Sequence, residues 1–242
     1  MSKLEIIERS DANGKKNDDS TVFIRQGERA ILCIADGISA MARSDIASGY
    51  CTQLVKTWSA SKDANKMGRK TAIRELSDLF YRIHNDLLAY SQDNRTDLGT
   101  TLIVAVVGIG KMILCSIGDS RVYVCQGGLC RQVTKDQTAA QEERDGIRYF
   151  PDMSDAEKES TLSQWLGSGK EIPEPKFYEI DLDEDVGIIL CTDGLYENND
   201  ENDIYQAIFG NGNLDRSLDD MIMKAKKNGE TDNISAVLYR RR

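Results

Sequence analysis

Histidine is almost absent from this chain, because His84 is the only one among 242 residues. A Ser-His-Asp or Cys-His catalytic site would need that residue as its base, and a structural zinc site needs several closely spaced Cys or His ligands. His84 falls instead in a segment whose apolar residues recur at helical spacing, residues 71–92. We interpret it as a core or helix-surface residue, so the chemistry is predicted to depend on the 40 Asp and Glu residues.

Several other features are missing, and each excludes a class of protein. None of the six cysteines forms a Cys-x-x-Cys pair, and no apolar run approaches the roughly 20 residues that span a bilayer. The net charge of −9 argues against nucleic-acid and membrane-surface partners, since phosphate groups attract clustered Lys and Arg. The charged first ten residues do not resemble a signal peptide. We therefore predict a cytoplasmic protein with reduced cysteines, folded as one domain over residues 1–242.

Short apolar runs between helical patterns indicate an α+β fold. The predicted strands cover residues 22–25, 29–35, 100–107, 112–117, 121–125, 129–133, 186–191 and 233–239. The predicted helices cover residues 45–59, 71–92, 154–166, 202–209 and 214–227. Strands that come as hairpins and helices that come in pairs favour antiparallel sheets over alternating βαβ units. The segment 139–159 is the most charged and least patterned stretch and is predicted to be a mobile surface region.

Aspartates stand at the ends of these predicted strands. Three follow an apolar strand, one precedes the last strand, and two begin another: Asp36, Asp119, Asp193, Asp232, Asp18 and Asp19. A carboxylate at a buried strand end is costly unless it is paired or binds a cation. Adjacent strands would gather four or five such groups, and an oxygen-only ligand set suits magnesium, manganese or calcium. Two such ions ~3.5–4 Å apart lower the pKa of a water that they share.

Two other segments resemble a calcium-binding EF-hand loop and a phosphate-binding loop, but neither has the residues that such a loop requires. Residues 181–185 cannot open an EF-hand loop, because Val186 stands where that loop needs Gly and Thr192 where it needs Glu. Residues 167–170 lack the earlier Gly of a phosphate-binding loop and are followed by Glu171 where Ser or Thr belongs. A lone Asp-Gly pair is also more often a turn than a ligand. The predicted metal site therefore depends on the full set of strand-end aspartates.

Eight short segments follow one another in an order that is typical of one enzyme family. They are Asn17-Asp18-Asp19-Ser20, Ala35-Asp36-Gly37-Ile38-Ser39, Leu98-Gly99-Thr100-Thr101-Leu102, Ile117-Gly118-Asp119-Ser120-Arg121, Val133-Thr134-Lys135-Asp136, residues 162–167, Cys191-Thr192-Asp193-Gly194-Leu195 and Thr231-Asp232-Asn233-Ile234. Over almost its whole length, the chain resembles the metal-dependent protein phosphatases, the PPM family of serine/threonine phosphatases, in their compact bacterial form. Each motif is weak alone, whereas eight in order are a specific signal.

The resemblance implies a fold and a metal centre. The fold is a four-layer αββα sandwich, in which two packed antiparallel sheets are flanked by helix pairs. Asp36 would bridge two Mn²⁺ or Mg²⁺ ions, and the carbonyl oxygen of Gly37 would complete one ligand shell. Asp19 and Asp193 would bind the ions, and Asp232 would hold one of them.

The resemblance also implies weaker sites around this centre. Asp119 would join Asp193 at a third metal site, and Asp18 would act through metal-bound water. The family usually has an Arg for the substrate phosphate where this chain has Gly14. Lys15 or Lys16 is the predicted replacement, as a point charge without bidentate recognition.

Two further departures concern the leaving group and the residue that follows the fifth motif. Ile38 stands where animal-type members carry a His that is proposed as general acid, so a metal-bound water, or no protein acid, would serve the leaving group. Gln137 replaces the His of the family's Thr-x-Asp-His segment and is predicted to be structural. Residues 139–160 correspond to the family's variable flap beside the active site, and we expect this flap to influence substrate access.

The reaction implied is hydrolysis of phosphoserine and phosphothreonine on protein substrates. A hydroxide bridging the two ions, held by Asp36 and Asp193, would attack phosphorus in line without a phosphoenzyme. Phosphorylated proteins and a serine/threonine kinase are the implied partners, and a monomer is the default state. Gly14 motivates one alternative, a non-catalytic phosphatase-like regulatory domain. A phosphatase for a small phosphorylated metabolite is the other.

Overall fold

The computed structural model describes residues 3–62, 67–167, 173–210 and 212–242. Ten β-strands lie within these ranges: Leu4–Asp11 (β1), Asp19–Gln26 (β2), Arg29–Asp36 (β3), Leu102–Val107 (β4), Lys111–Ile117 (β5), Arg121–Gln126 (β6), Leu129–Gln132 (β7), Lys176–Asp181 (β8), Val186–Cys191 (β9) and Ile234–Arg241 (β10). Seven helices lie in the same ranges: Ser44–Ala60 (α1), Arg69–Asn94 (α2), Ala139–Arg144 (α3), Asp155–Ser160 (α4), Asp193–Tyr196 (α5), Glu201–Phe209 (α6) and Leu214–Lys227 (α7). None of these helices is long and apolar enough to cross a membrane.

The described strands form two sheets in which every neighbour pairing is antiparallel. One sheet has the order β1-β10-β9-β6-β7 and the other the order β2-β3-β4-β5-β8. Side chains alternate across each strand. On β3, Ala30, Leu32 and Ile34 therefore join the core between the sheets, whereas Ile31 and Cys33 join the core beneath α1 and α2. A third core lies between the outer face of the first sheet and α6 and α7, which confirms the predicted αββα sandwich.

The helix predicted over residues 154–166 is wrong in its second half. Its predicted start is confirmed, since α4 begins with a capping box, but the helix ends early. Leu162 and Leu166 instead form single antiparallel bridges with Thr138 and Thr100. Leu166 is fully buried in the core beneath α2. The two leucines are four residues apart, and this spacing imitates one face of a helix.

Other elements were not predicted because their sequences carry a weak pattern. β1 and β8 contain several charged residues, and almost all of their positions are partly buried or exposed, so their alternation is hidden. The segment 139–159, predicted to be a mobile surface region, contains the unpredicted helix α3 and most of α4. Residues 168–170 of the rejected phosphate-loop motif lie outside the described residues.

The expectation that all six cysteines are reduced is wrong for one pair. Cys125 and Cys130 stand opposite each other in the hairpin register of β6 and β7, and they form a disulfide. A two-glycine turn brings the two strands together here, and such cross-strand proximity is not visible in cysteine spacing alone. The other four cysteines are free and buried, as expected of small apolar side chains.

Candidate active site

The strand-end aspartates meet at one end of the sandwich. β2 begins at Asp19 and β3 ends at Asp36, and the antiparallel register places these two residues opposite each other. β9 ends shortly before Asp193, and its antiparallel neighbour β10 begins shortly after Asp232. β5 runs in the same direction as β3 and is followed at this end by Asp119. Antiparallel pairing therefore brings carboxylates from both sheets to one edge.

Asp36 lies where the charges of the cluster converge. Burial raises the pKa of its carboxyl well above the usual value, and the charges of Asp19, Asp193, Asp119 and Asp232 raise it further. Each of these neighbours disfavours a second negative charge nearby. The cluster therefore lacks the positive charge that would let all of its members ionise.

Asp19 lies beside Asp36 and is only 8% exposed. Burial raises its pKa to about 6, the charge of Asp232 adds to the rise, and hydrogen bonds from Ser235 and Thr192 oppose it. The Thr192 hydroxyl donates to Oδ2 of Asp19 at 3.0 Å. This bond connects the second sheet to the turn after β9, so Asp19 is held in place from both sheets.

Two glycines allow the backbone turns of the site to approach each other. A Cβ on Gly37 would lie 2.6 Å from the carbonyl oxygens of Asp18 and Ser44, far inside van der Waals contact. A Cβ on Gly194 would overlap the carbonyl oxygen of Asn233. Any side chain at these two positions would push the aspartate-bearing turns apart. The glycine in each Asp-Gly pair is therefore required by close packing.

Asn233 holds the loop between β1 and β2, a role that the sequence interpretation did not assign. Its Oδ1 accepts a hydrogen bond from the backbone N–H of Asp18 at 2.8 Å. Its Nδ2 donates to the carbonyl oxygens of Ala12 and Lys16 at 3.0 and 3.1 Å. One amide side chain thus orders the loop that carries both Asp18 and the predicted phosphate-binding lysines.

Asp119 approaches the cluster from β5 and faces Asp193. Burial raises the pKa of Asp119 to about 6, and burial together with the charge of Asp119 raises the pKa of Asp193 well above its usual value. The turn that carries Asp119 is held by Gln137, whose Oε1 accepts from the Gly118 N–H at 3.0 Å. The Nε2 of Gln137 donates to the carbonyl oxygen of Glu174 at 3.0 Å. Gln137 therefore has a structural contact in the loop.

Arg121 and its partners border Asp119, and the sequence interpretation assigned them no role. The guanidinium donates to both carboxylate oxygens of Asp136, at 2.7 Å in its shortest bond, and stacks 3.7 Å from the ring centre of Tyr196. Glu197 follows on the same helix end, and burial raises its pKa. The available sequence signal was the Arg at the end of the Gly-Asp-Ser-Arg motif, which lies at the start of β6.

The two predicted phosphate-binding lysines contact carboxylates of the site. Lys15 Nζ lies 3.0 Å from Oδ1 of Asp232. Lys16 Nζ lies 2.7 Å from Oδ1 of Asp45 and 3.2 Å from Oδ1 of Asp18. Both lysine side chains are about half exposed, at 46% and 51%. They therefore supply positive charge at the rim of the cluster, while its centre at Asp36 remains uncompensated.

The chemical type of the clustered side chains suits a hard divalent cation. All of the clustered side chains offer carboxylate oxygens, which magnesium, manganese and calcium prefer. Oδ1 of Asp18 is buried and accepts no hydrogen bond, although the Lys16 ammonium is nearby. Across the four described ranges, no three His, Cys, Asp or Glu side chains are arranged so that they could hold a metal ion as they stand. Side chains of the cluster would therefore have to turn toward an ion on binding.

This sandwich with an acidic edge defines a recognisable class of enzyme. Residues 9–238 match the model of the protein phosphatase 2C family. Because this match covers most of the 242 residues, the chain belongs to the protein phosphatase 2C family and is a protein phosphatase of that class. Its motifs are those of the PPM family to which the sequence shows a resemblance.

Individual relatives are bacterial phosphatases. The chain is 25% identical over 228 residues to serine/threonine phosphatase stp of Listeria monocytogenes serotype 4b, an alignment that covers 93% of this chain and 89% of the relative. It is 28% identical to serine/threonine protein phosphatase PstP of Mycobacterium tuberculosis over 93% of this chain and 42% of the relative.

Solved structures share the fold. Serine/threonine phosphatase Stp1 from Staphylococcus aureus superposes with a TM-score of 0.84 at 21% identity, covering 99% of this chain and 95% of the other. The catalytic domain of PstP, crystallised in complex with two manganese ions, superposes with a TM-score of 0.77 at 25% identity, covering 100% and 99%.

Proposed function

We propose that this protein phosphatase hydrolyses phosphoserine and phosphothreonine in proteins with the help of two Mn²⁺ or Mg²⁺ ions. The observation that carries the proposal is the convergence of four other aspartates on Asp36, whose pKa they raise. A buried group of like charges is unfavourable unless a cation joins it. Two manganese ions in the PstP structure and the names of the Listeria and Mycobacterium relatives support the same conclusion.

Five residues would hold the two principal ions. Asp36 would bind both, the Gly37 carbonyl would complete one shell, and Asp19, Asp193 and Asp232 would supply the remaining protein ligands. Once bound, the ions would lower the pKa of a water molecule and offset the negative charge of the phosphoryl oxygens. This assignment places the reaction at the edge where the two sheets meet.

Two more aspartates would act at the margins of this centre. Asp119 lies beside Asp193 and would share a third, weaker ion with it. Asp18 would contact its ion through water. The Oδ1 of Asp18 accepts no hydrogen bond and is therefore an acceptor for such a water, although the Lys16 ammonium lies 3.2 Å away.

The surrounding residues would hold these ligands before an ion arrives. The backbone N–H of Asp36 donates to the Thr101 hydroxyl at 3.0 Å, and the Thr100 hydroxyl donates to the Asp36 carbonyl oxygen at 2.8 Å. Thr192 and Asn233 fix Asp19 and the loop before it. The chain thus holds Asp36 and the segment around Asp19 in place before an ion binds.

Lys15 and Lys16 would bind the substrate phosphate in place of the usual Arg. Gly14 has a φ of +81° and no atom within 4 Å of a built Cβ, so the position of that Arg is open space here. A cation bound at Asp232 would compete with the Lys15 pair and free that ammonium for the substrate, whereas Lys16 would keep its pair with Asp45 when a cation approaches Asp18. An ammonium is a point charge, so it would attract phosphate without fixing its orientation.

Residues 1–242 would form one phosphatase domain that acts as a monomer on phosphorylated proteins and opposes a serine/threonine kinase. The flap, residues 139–160, would influence substrate access, because its base joins the Asp119 side of the site. There, Ala139 N–H donates to the Thr161 carbonyl oxygen, next to the Gln137 contact.

The test is hydrolysis of a phosphothreonine peptide with Mn²⁺, with EDTA, and with Asp193→Asn plus Mn²⁺. Asp183→Asn, an exposed aspartate between β8 and β9, is the matched control. Activity in the Mn²⁺ samples of the native protein and the control, but not in the other two, is the expected result. Folded protein that binds Mn²⁺ and hydrolyses nothing would favour the non-catalytic regulator instead.

A further inference from the structure

Three apolar side chains gather immediately beside the acidic cluster. A Cβ built on Gly99 would lie 2.8 Å from Cδ1 of Trp165, 2.9 Å from Sδ of Met41 and 3.0 Å from Cδ1 of Ile38. The three side chains therefore converge over a glycine that has no side chain of its own. We call Ile38, Met41 and Trp165 the apolar shelf.

The backbone fixes the shelf next to the site. Thr100 forms single bridges with Gly37 on one side and Leu166 on the other, so the segments that carry Ile38 and Trp165 both lie against the residues just before β4. The N–H of Ile38 donates to the Gly99 carbonyl oxygen at 3.0 Å. Ile38 follows Asp36 by two residues, which limits the distance between their Cα atoms to about 7 Å.

The shelf is not required to complete a core. Its three members are partly exposed, and none of them belongs to the three apolar cores of the described residues or packs against them. The indole Nε1 of Trp165 has no hydrogen-bond partner, so packing alone holds the ring. Apolar surface that is left partly exposed beside a reaction site is available to bind a substrate.

We propose that the apolar shelf binds an apolar side chain next to the phosphorylated residue of the protein substrate. This inference rests on the proposed function. A substrate whose phosphate enters the acidic cluster is an extended chain, and each neighbouring residue lies about 3.5 Å further along it. The residue on one side of the phosphoresidue therefore reaches the shelf. The substrate class is a phosphoserine or phosphothreonine flanked directly by Leu, Ile, Val or Met.

The first test uses two pairs of phosphothreonine peptides with Mn²⁺. Each pair differs at one position, Leu against Ser, either just before or just after the phosphothreonine. We expect kcat/KM to be about tenfold higher for the Leu peptide of one pair. This ratio lies at the low end of what apolar pockets achieve, because the shelf is partly exposed. Equal rates within both pairs would overturn the inference and leave the proposed function intact.

The second test asks whether the shelf causes the preference. Ile38→Ser and Trp165→Ala should each reduce the Leu-to-Ser ratio to about two or less. Ile109→Ser is the matched control, because Ile109 is 61% exposed in the turn between β4 and β5 at the opposite end of the sandwich. An unchanged ratio in both shelf variants would overturn the inference.

A binding measurement covers the case in which no peptide is hydrolysed. The chain has two tryptophans, so Trp58→Phe leaves Trp165 as the single fluorescent indole. Titration with the same peptides, carrying a non-hydrolysable phosphonate, should change Trp165 fluorescence at about tenfold lower concentration for Leu than for Ser. The absence of hydrolysis would contradict the proposed function, whereas equal binding of both peptides would contradict the role of the shelf.

Discussion

Both ends of the sandwich carry groups of acidic residues, but these residues are buried at one end and exposed at the other. At the active-site end, Asp19, Asp36 and Asp193 are buried or partly buried, and burial is the largest cause of their raised pKa values. At the opposite end, which we call the turn end, Asp183 and Asp185 lie in the β8–β9 turn and are exposed to solvent. The sequence alone shows acidic residues for both ends. Burial and mutual repulsion, which require the structure, distinguish the active-site aspartates from those of the turn end.

The glycines of the two ends differ in the same way. Gly37 and Gly194 are needed because carbonyl oxygens lie where a side chain would be. Gly110 and Gly128 in the hairpin turns have φ values of +79° and +82° and open space around them. At the active-site end, glycine is needed because neighbouring backbone lies too close for a side chain. At the turn end, it is needed because the backbone has a positive φ.

The largest difference between the ends should appear in activity. Asp36→Asn removes the carboxylate on which the other four converge, so we expect kcat/KM on a phosphothreonine peptide to fall at least 10³-fold, about 4 kcal/mol. Asp183→Asn at the turn end should stay within about twofold of the native value. Steady-state kinetics with Mn²⁺ checks both variants. Similar losses in the two would show that the distinction between the ends is wrong.

The next difference concerns the glycines. In Gly37→Ala, the new methyl would meet two carbonyl oxygens, so we expect a loss of about 3 kcal/mol in the free energy of unfolding and loss of activity. Gly128→Ala should cost about 1 kcal/mol through backbone strain and leave activity unchanged. Urea unfolding and peptide hydrolysis measure both effects. A stable and active Gly37→Ala protein would contradict the close packing described for this turn.

The third difference uses the disulfide of the turn end. Reduction of Cys125–Cys130 opens a short loop, for which chain entropy predicts a loss of about 2 kcal/mol in stability. The hairpin closes far from the acidic cluster, so phosphopeptide hydrolysis should not change. Unfolding curves with and without a phosphine reductant, beside rate measurements under the same conditions, make the comparison. Loss of activity at unchanged stability would mean that the hairpin communicates with the site.

Features that depend on neighbouring residues in the sequence could be predicted, whereas features that depend on contacts between distant residues could not. The α+β class and the positions of the aspartates follow from local patterns, since Asp36 and Asp119 stand at the ends of strongly apolar strands, whereas the four-layer αββα arrangement is implied only by the family resemblance. β1 and β8 escape prediction because their polar residues hide the alternation. The Cys125–Cys130 bond escapes because it depends on hairpin register.

The site shows the same limit at the level of single side chains. The sequence placed Asn233 in a motif but did not indicate its role. Its three hydrogen bonds join parts of the chain that lie more than 200 positions apart. The ion pairs of Lys15 and Lys16 and the shelf over Gly99 likewise depend on loops brought together by the fold. Residue type and spacing predict the chemistry of the cluster, whereas its positioning contacts require the tertiary structure.

The smallest effect we predict is a pH dependence of stability in metal-free protein. Asp19 has a pKa of about 6 in the folded chain and near 3.8 when unfolded. Between these values the folded state binds more protons, so the stabilising contribution is present at low pH and is lost as pH rises through about 6. From pH 5 to pH 7 this amounts to about 1 kcal/mol, or roughly 3 °C in Tm.

A comparison with Asp19→Asn removes that contribution, together with the part of the Asp36 and Asp193 pKa rises that the Asp19 charge causes, which has the same sign. The pKa of His84 is lowered by burial, so its contribution has the opposite sign, and it is common to both proteins. In EDTA, the native Tm should gain about 3 °C relative to the variant when pH falls from 7 to 5. Saturating Mn²⁺ should remove this gain, because a bound cation favours the ionised carboxylate. A native protein that follows the pH dependence of the variant in EDTA would show that Asp19 is not destabilised by its neighbours, and the contrast between the two ends would lose its electrostatic basis.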